Sequence, residues 1–391
     1  MSFFTPVSEP ATKLGRYRVL SPHAGVHVSP LALGAMNIGD QWDKIGMGSM
    51  SKEDSFKLLD AYYDKGGNFI DTANNYQDET SEKFIGEWAE NRGIRDQLFI
   101  ATKYTAQYKR ATPLAQKIMY AGNNAKSLHL SVHDSLKKLR TSYIDLLYVH
   151  LWDWDTSIEE IMRSLHALVQ AGKVIYLGIS DTPAWVVAKA NQYARDHALS
   201  PFVIYQGWWN VMDRSFERDI IPMARSEGLA LAPWNVVGGG KFRTDEEEER
   251  RRQTGEHGRT TFNPAWERND REKAASKALE KVAVEVGVKH VTAVAIAYVL
   301  QKAPFVFPII GGRKVEHLEA NIEALSISLT DEQIKFLESA TEFDLGFPLT
   351  MIGDGAAPSP WLTLSAHLDP KPEVKAIRPV TNGDKNAVIQ P

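Results

Sequence analysis

One unit repeats through most of this 391-residue chain: a short apolar run, a few polar residues, and then a stretch whose apolar side chains recur at helical spacing. Continuous apolar runs of this length are typical of strands that are buried on both faces, as in a parallel sheet. Eight such runs occur, at residues 31–33, 68–70, 98–101, 144–149, 174–179, 202–205, 229–232 and 305–310.

The segments between the runs have helical patterns. The first begins with a capping box variant, Ser51 and Asp54, and ends at Gly66, while Thr330 and Gln333 cap a later one. Further helices are predicted over 123–140, 157–171, 183–197, 215–227, 273–286, 291–302 and 315–325. Eight strand–helix units predict a (β/α)8 TIM barrel in the α/β class. The alternative, a doubly wound sheet, is disfavoured because no Gly-x-Gly-x-x-Gly turn follows an early run.

We expect one domain over residues 1–391, with the barrel core at about 30–345. The first 30 residues predict a small hairpin that pairs 17–20 with 26–28. Residues 239–270 form a long polar insertion after the seventh run, and residues 346–391 form a tail rich in proline and polar residues. The DEEEERRR run in the insertion favours a solvated, partly helical segment, and a lid over the barrel mouth is the second interpretation.

Composition excludes several classes of function. The formal net charge of −4 gives no reason to expect nucleic acid or an anionic membrane as a partner. The chain has no cysteine, so disulfides, thiolate metal sites and cysteine nucleophiles are excluded. No run approaches the roughly 20 apolar residues of a membrane span, and the N-terminus lacks a secretory signal pattern. We therefore expect a cytoplasmic protein, and leave open whether it is a homo-oligomer.

Polar residues stand at the ends of successive apolar runs. Asp71, Lys103 and His150 end the second, third and fourth runs, Ser180 and Asp181 follow the fifth, and Gln206 ends the sixth. Each alone has an ordinary structural explanation, such as a helix cap, a surface cation or a satisfied core histidine. Because the carboxyl ends of barrel strands meet at one edge, their convergence favours a functional site there.

The types of these residues, together with Tyr76, suit carbonyl reduction. A free tyrosine has a pKa of about 10, and a nearby lysine ammonium lowers it by stabilising the phenolate. Asp71 would keep Lys103 charged and in place, and His150 would orient the substrate oxygen. Tyr76 would then donate a proton to the developing alkoxide and recover it in the reverse direction.

The segments NFIDTANNY, ATKY and YVHLW resemble the elements that supply the Asp–Tyr–Lys–His tetrad of the aldo-keto reductases, which here would be Asp71, Tyr76, Lys103 and His150. The resemblance runs from about Leu31 to Leu329. YQGWWNVMDR, APWNVVGGGKF and the long tail are most similar to the fungal aryl-alcohol dehydrogenases and norsolorinic acid reductase-like enzymes.

The resemblance implies NADP(H), bound across the barrel mouth without a Rossmann turn. The expected contacts to the nicotinamide end are Gly34, Ala35, Met36, Asp71, Ser180, Asp181 and Gln206, with Trp234 in place of a stacking tyrosine. The expected contacts to the pyrophosphate are Asn235, Val236, Val237, Gly238 and Lys241. Those to the adenosine end are Gly311, Gly312, Arg313, His317 and Asn321. Arg313 or Lys314 would meet a 2′-phosphate, since a guanidinium fork matches its oxygens.

Three positions depart from the family pattern: His317, Asp181 and Trp209 stand where glutamine or arginine, asparagine and tyrosine are more common. Aromatic residues crowd the predicted mouth, at Trp42, Tyr104, Trp152, Trp154, Trp208 and Trp209. They favour a flat, apolar substrate such as an aryl aldehyde, a benzylic alcohol or a polyketide-like aromatic ketone. Trp42, Tyr104 and Trp152 are the predicted substrate contacts.

Two other functions stay open. Channel β-subunits of the same fold bind the cofactor with little or no catalysis, so fold alone does not decide. A metal-dependent barrel hydrolase is the weaker alternative, because the histidines and carboxylates of this chain lack metal-ligand spacing. No metal site is therefore predicted.

Overall fold

A computed structural model describes residues 7–255 and 265–379. Its central feature is a barrel of parallel strands: β3 (Ala32–Gly34), β4 (Phe69–Asp71), β5 (Phe99–Tyr104), β6 (Ile144–Val149), β7 (Val174–Ser180), β8 (Phe202–Trp208), β9 (Ala230–Trp234) and β10 (Ile309–Ile310). From β3 to β9 each strand pairs with the next along the chain, and β10 pairs with β3. The prediction of a (β/α)8 barrel is confirmed.

The barrel closes between β9 and the segment before β10. Leu231 bridges Val306 there, and its amide and carbonyl bond to Phe305 and Phe307 at 2.9 and 2.8 Å. The eighth apolar run therefore pairs regularly only over its last two residues, because Phe305 has a φ of +55° that interrupts the extended backbone. Several other strands, such as β5 and β8, extend beyond the predicted apolar runs into polar residues, since backbone pairing does not require apolar side chains.

Helices cover the outside of the barrel, and most match the predicted segments. They are α1 (Lys52–Asp64), α2 (Thr80–Arg92), α3 (Ala125–Lys138), α4 (Ile158–Gln170), α5 (Ala184–Asp196), α6 (Ile220–Glu227), α7 (Asp245–Thr254), α8 (Asp270–Val286), α9 (Val291–Lys302), α10 (Val315–Ile322) and α11 (Asp331–Ser339). The Ser51 hydroxyl accepts from the Asp54 amide at 3.0 Å, as the capping pattern predicts. Helix α2 was not predicted, because buried Ser81 and Glu82 interrupt its apolar stripe.

Two apolar clusters form the core. One lies between the strands and the outer helices, and the other fills the barrel interior. The predicted hairpin, β1 (Arg18–Ser21) with β2 (Ala24–Val28), is confirmed. Its Leu20 and Val28 pack in the inner cluster with Phe69 and Phe99, the first residues of β4 and β5. The hairpin thus covers the end where the strands begin and leaves the carboxyl ends for a site.

The charged insertion after β9 is helical but only partly solvated. Thr244 caps α7, whose Glu248 is buried and accepts from both Arg243 and Arg268 at 2.7–3.0 Å. Both arginines are themselves almost fully buried. The prediction of a solvated segment is therefore wrong for one face of α7, because this ion cluster joins the two ends of the insertion.

The tail returns to the barrel. It contains two short helices, α12 (Leu349–Ile352) and α13 (Pro360–Thr363), and Arg378 donates to the Leu329 carbonyl at 2.9 Å. Residues 345–349 form one wall of a cleft of about 680 Å³, whose other side includes Trp208 and Phe216. Within residues 7–255 and 265–379 no single helix is long and apolar enough to cross a membrane, and only α8 and α9, taken together across an 89° bend, pass on length and composition.

Candidate active site

Lys103 lies near the carboxyl end of β5, and its side chain is fully buried. Its Nζ donates to Asp71 Oδ1 at 2.6 Å and to the Thr72 carbonyl at 2.9 Å, and lies 3.4 Å from the Tyr76 hydroxyl. These contacts account for the three donors of an ammonium. Burial is the largest influence and lowers the pKa of Lys103, but Asp71 and Tyr76 together outweigh it and raise the pKa, so the group is a cation at neutral pH.

Asp71 is held from two sides of the barrel. Its Oδ1 accepts from Lys103, and its Oδ2 accepts from Gln206 Nε2 at 2.9 Å. The carboxylate is 3% exposed, so these two contacts take the place of water. Gln206, expected to bind a nicotinamide carboxamide, thus uses its amide N–H within the protein to fix the orientation of Asp71.

Tyr76 follows β4 in a loop and is flanked by two rings. Its ring centroid lies 6.1 Å from that of Trp42 and 5.9 Å from that of His150, both edge to face. Burial raises the pKa of Tyr76, and Lys103 opposes this without reversing it. Lys103 thus lowers the pKa of Tyr76 in the predicted direction, and the burial that outweighs it was not visible in the sequence. The phenol is protonated at neutral pH.

His150 follows β6, where its backbone N–H donates to the Tyr104 carbonyl at 3.1 Å and to Thr105 Oγ1 at 3.3 Å. Burial, together with the Lys103 charge, lowers the pKa of its imidazole to about 3. The ring is therefore neutral over the physiological range. Its Nδ1 is buried and has no hydrogen-bond partner within the described chain.

The residues expected at the nicotinamide end gather at the ends of β3, β7, β8 and β9. Ser180 is 1% exposed, and its Oγ makes no hydrogen bond with any residue that the structure describes. Asp181, with a φ of +41°, accepts from Trp234 Nε1 at 3.2 Å. Its carboxylate opens onto the cleft, but surrounding protein raises its pKa to about 6. An orphaned buried hydroxyl beside an indole and a carboxyl suits a carboxamide and its ring.

Of the side chains expected to contact the phosphates and the adenosine, Lys241 already bonds the protein, and Arg313 bonds none of the residues that the structure describes. Lys241 donates to the carbonyls of Ala265 and Glu267, both at 2.7 Å, so its ammonium is already used. Arg313 is exposed and forms neither a hydrogen bond nor an ion pair with residues 7–255 or 265–379. It lies just before the N-terminus of α10, where backbone N–H groups and the helix dipole favour an anion.

The remaining expected cofactor contacts lie in the same loops. Gly34 ends β3, where an added Cβ would meet Ile309 at 2.8 Å, and the Ala35 amide donates to the Asp71 carbonyl at 2.8 Å. After β9 and β10 come Asn235, Val236, Val237, Gly238, Gly311, Gly312, His317 and Asn321. These loops neighbour one another because β9 and β10 are adjacent at the barrel closure.

The aromatic residues expected at the mouth do not form one group. Trp42, 8% exposed, faces the Tyr76 ring, and Trp152 is partly buried against the core. Tyr104 is fully buried and donates its hydroxyl to the Asn123 carbonyl at 3.2 Å, so it offers no open surface to a substrate. Trp209 is also buried, stacked on Phe216, whereas Trp154 and Trp208 are exposed.

Sequence reasoning missed three residues that shape the site. The Thr72 carbonyl accepts from Lys103, and Thr105 bonds the His150 backbone. Gln77, next to Tyr76, is fully buried and bonds the loop that carries Trp42. No pattern in the sequence singles out Gln77, since a polar residue in a loop is ordinarily solvated.

Comparisons with known proteins agree with this geometry. The model of the "Aldo/keto reductase family" matches residues 30–342. The chain is 60% identical over 383 residues to an aryl-alcohol dehydrogenase [NADP(+)] of Phanerodontia chrysosporium, covering 97% of this chain and 100% of that protein. It is 57% identical over 370 residues to a putative aryl-alcohol dehydrogenase of Saccharomyces cerevisiae, covering 93% and 98%. It is 51% identical over 347 residues to norsolorinic acid reductase of Emericella nidulans, covering 89% and 87%.

Proposed function

The chain belongs to the aldo/keto reductase family and is an oxidoreductase, and on that premise we propose that it interconverts aromatic aldehydes or ketones and their alcohols with NADP(H). In this proposal Tyr76 is the general acid and base. The observation that carries it is the buried ammonium of Lys103, held 2.6 Å from Asp71 and 3.4 Å from the Tyr76 hydroxyl. A charge placed there stabilises a phenolate at the one moment when the reaction produces it.

Each tetrad member has a separate task. NADPH, when bound, supplies the hydride that reduces the carbonyl carbon. Tyr76, protonated at rest, donates its proton to the carbonyl oxygen, and Lys103 stabilises the phenolate that remains. Neutral His150 hydrogen-bonds the same oxygen and orients it. Asp71 keeps Lys103 charged throughout, because its carboxylate accepts a hydrogen bond from the ammonium through Oδ1 and is fixed by Gln206 through Oδ2.

The groups available at the mouth support NADP(H) as the cofactor. Ser180 would bind the carboxamide, Trp234 would stack on the nicotinamide, and Arg313 would meet the 2′-phosphate. The name of the relative from Phanerodontia chrysosporium includes NADP(+) and aryl alcohol. With 60% identity across nearly the whole chain, the same cofactor and substrate class is the natural proposal here.

We test this function with a panel of aldehydes and two cofactors. Aromatic aldehydes such as veratraldehyde are expected to give a kcat/KM at least about ten-fold above that of short aliphatic aldehydes, because an aromatic ring buries more apolar surface beside Trp42. NADPH is expected to be preferred over NADH. The assay follows cofactor absorbance. Equal turnover of short aliphatic aldehydes would contradict the substrate class, and no turnover with any carbonyl would contradict the function.

The state of His150 gives a prediction for pH dependence. With a pKa of about 3, the imidazole does not change charge between pH 5 and 8. The plot of kcat for reduction against pH is therefore expected to have no step caused by His150 in this range. Asp181, with a pKa of about 6, is the group expected to affect KM for NADPH in that range. The measurement is kcat and KM from pH 5 to 9 in the wild type, His150→Gln and Asp181→Asn. A kcat step near pH 6.5 that disappears only in His150→Gln would contradict this assignment.

A further inference from the structure

The backbone directly after Tyr76 has an unusual conformation. Gln77, Asp78 and Glu79 have φ angles of +52°, +47° and +81°, and none of them is a glycine. Side chains with a Cβ rarely adopt this left-handed region, and three in succession are rarer. Such a conformation persists only where surrounding contacts fix it, and it often marks a functional position.

Gln77 has the most complete set of contacts of the three. Its Nε2 donates to the carbonyls of Met36 and Gly48, both at 2.9 Å. Its Oε1 accepts from the backbone N–H groups of Gln41 and Trp42, at 3.0 and 2.9 Å. These four bonds use the full capacity of a carboxamide. The side chain is fully buried, so water does not compete with them.

The next two residues have anchors of their own. Asp78 accepts from Trp42 Nε1 at 3.1 Å and pairs with Arg110 through both carboxylate oxygens. Glu79 pairs with Lys109 and Lys138 at 2.9 and 3.2 Å. Each of the three side chains is therefore held: Gln77 by backbone groups, and Asp78 and Glu79 by side chains of opposite charge. Asp78 also bonds the indole that faces Tyr76.

The loop that Gln77 contacts, residues 36–48, passes close above this segment. At Gly39, which has a φ of +128°, an added Cβ would lie 2.5 Å from Gln77 Cβ. The loop carries Met36, expected at the nicotinamide, and Trp42, expected at the substrate. A single buried amide thus joins the residue after Tyr76 to the loop that carries a predicted cofactor contact and a predicted substrate contact.

We propose that Gln77 is a positioning residue, which fixes the Tyr76 hydroxyl relative to the 36–48 loop so that proton donor, nicotinamide and substrate keep one geometry. This inference rests on the proposed function. In this proposal Gln77 contacts neither substrate nor cofactor. Its effect on the reaction is exerted through Met36 and Trp42, whose backbone groups it bonds, and through Tyr76, to which it is joined by a peptide bond.

A carboxamide offers two donors and two acceptor positions at once, which the four bonds of Gln77 require. Methionine has a similar length but neither donates nor accepts strongly, and glutamate keeps the two acceptor contacts while losing the two donors. Glycine relieves the positive φ at residue 77 but removes the side chain. Comparing Gln77→Met with Gln77→Gly therefore separates the four hydrogen bonds from the backbone conformation.

The experiment measures reduction of an aromatic aldehyde by NADPH and by NADPH deuterated at the transferred position. Gln77→Met and Gln77→Gly are both expected to lower kcat by about 10–100-fold, because an ångström-scale displacement costs this much. The dissociation constant for NADPH is expected to stay within about three-fold, since the adenosine contacts are remote. The isotope effect on kcat is expected to rise, because the chemical step becomes slower than product release.

A merely structural role predicts a different result. Partial unfolding would lower the number of NADPH-binding sites and kcat in proportion, with the isotope effect unchanged, and that would overturn the inference. So would a kcat within two-fold of the wild type, or restored activity in Gln77→Gly. Gln97→Met is the matched control, because Gln97 is exposed and lies just before β5, at the opposite end of the barrel. It is expected to leave kcat unchanged.

The experiment also distinguishes a failure of the proposed function from a failure of the role of Gln77. If Gln77→Met is too unstable to purify, Gln77→Glu, which keeps the acceptor contacts, is assayed by the same criteria and is expected to lose at least about ten-fold in kcat. A wild type that reduces no carbonyl in the panel would remove the proposed function and the role of Gln77 with it. An active wild type with an equally active Gln77 variant would remove only the role of Gln77.

Discussion

Tyr76→Phe is expected to lower kcat for aldehyde reduction by about 10²–10⁴-fold while NADPH binds with an affinity within about two-fold of the wild type. The substitution removes only the hydroxyl that lies 3.4 Å from Lys103 Nζ, and the edge-to-face contacts with Trp42 and His150 stay in place. Another protonated group nearby is the Lys103 ammonium, but it is paired with Asp71 and its pKa is raised, so it gives up a proton less readily. His150 is neutral, and both carboxylate oxygens of Asp71 already accept hydrogen bonds.

The measurement combines a fluorescence titration with NADPH and an absorbance assay with an aromatic aldehyde. Tyr143→Phe is the matched control, since it removes a tyrosine hydroxyl that bonds Asp96, just before β6 and away from the mouth. Residual activity of Tyr76→Phe within ten-fold of the wild type would assign the proton to another group. Tight NADPH binding with no turnover by either protein would favour a cofactor-sensing function.

Asp71→Ala is expected to have the largest effect on stability, a loss of about 3–5 kcal/mol in the free energy of unfolding. It leaves the fully buried Lys103 ammonium without its counter-charge and Gln206 Nε2 without an acceptor. Denaturation by urea, followed by far-ultraviolet circular dichroism, gives the comparison with the wild type.

The double variant Asp71→Leu/Lys103→Met is the control for this stability effect. It removes both charges together, so it is expected to be more stable than Asp71→Ala although it is inactive. If the double variant were as unstable as Asp71→Ala, lost packing rather than an unpaired charge would be the cause.

The pair of Asp71 and Lys103 also predicts how the free energy of unfolding depends on pH. In the wild type the pKa of Lys103 is raised above its ordinary 10.5, so the contribution of the pair is present below that value and lost as pH rises through the folded pKa. In Asp71→Ala burial remains and lowers the pKa of Lys103, so the unfolded chain holds this proton more tightly than the folded protein does. The free energy of unfolding of this variant therefore rises as pH rises. The stability difference between the two proteins is therefore expected to narrow between pH 7 and about pH 9.5.

The sequence was sufficient to predict what depends on strand order. Asp71, Lys103 and His150 could be assigned to one edge because parallel strands end on the same side of a barrel, and each follows a continuous apolar run. The hairpin and the capped helices were likewise predictable from local patterns. Tyr76 required the family resemblance in addition, since nothing in its local pattern separates it from a packing tyrosine.

What depends on three-dimensional neighbours could not be predicted. Gln206 bonds Asp71 across 135 residues of sequence. The charged run of α7 contributes a buried glutamate that bonds one arginine five residues before it and another 20 residues after it. The direction of the Tyr76 pKa depends on the balance between burial and the Lys103 charge, and only the charge is visible in the sequence. The left-handed backbone at Gln77 likewise arises from tertiary contacts and has no local signature.

The closure between β9 and β10 has a consequence for how ligand binding and folding are coupled. At this joint the described residues form no regular ladder, and two hydrogen bonds through Leu231 close the ring. The neighbouring β10 pairs with β3 over only two residues. The loops proposed to hold the pyrophosphate and the adenosine end of the cofactor leave from opposite sides of this joint. A dinucleotide bound across them would act as a reversible cross-link of the ring, so the free energy of unfolding would rise with the concentration of cofactor.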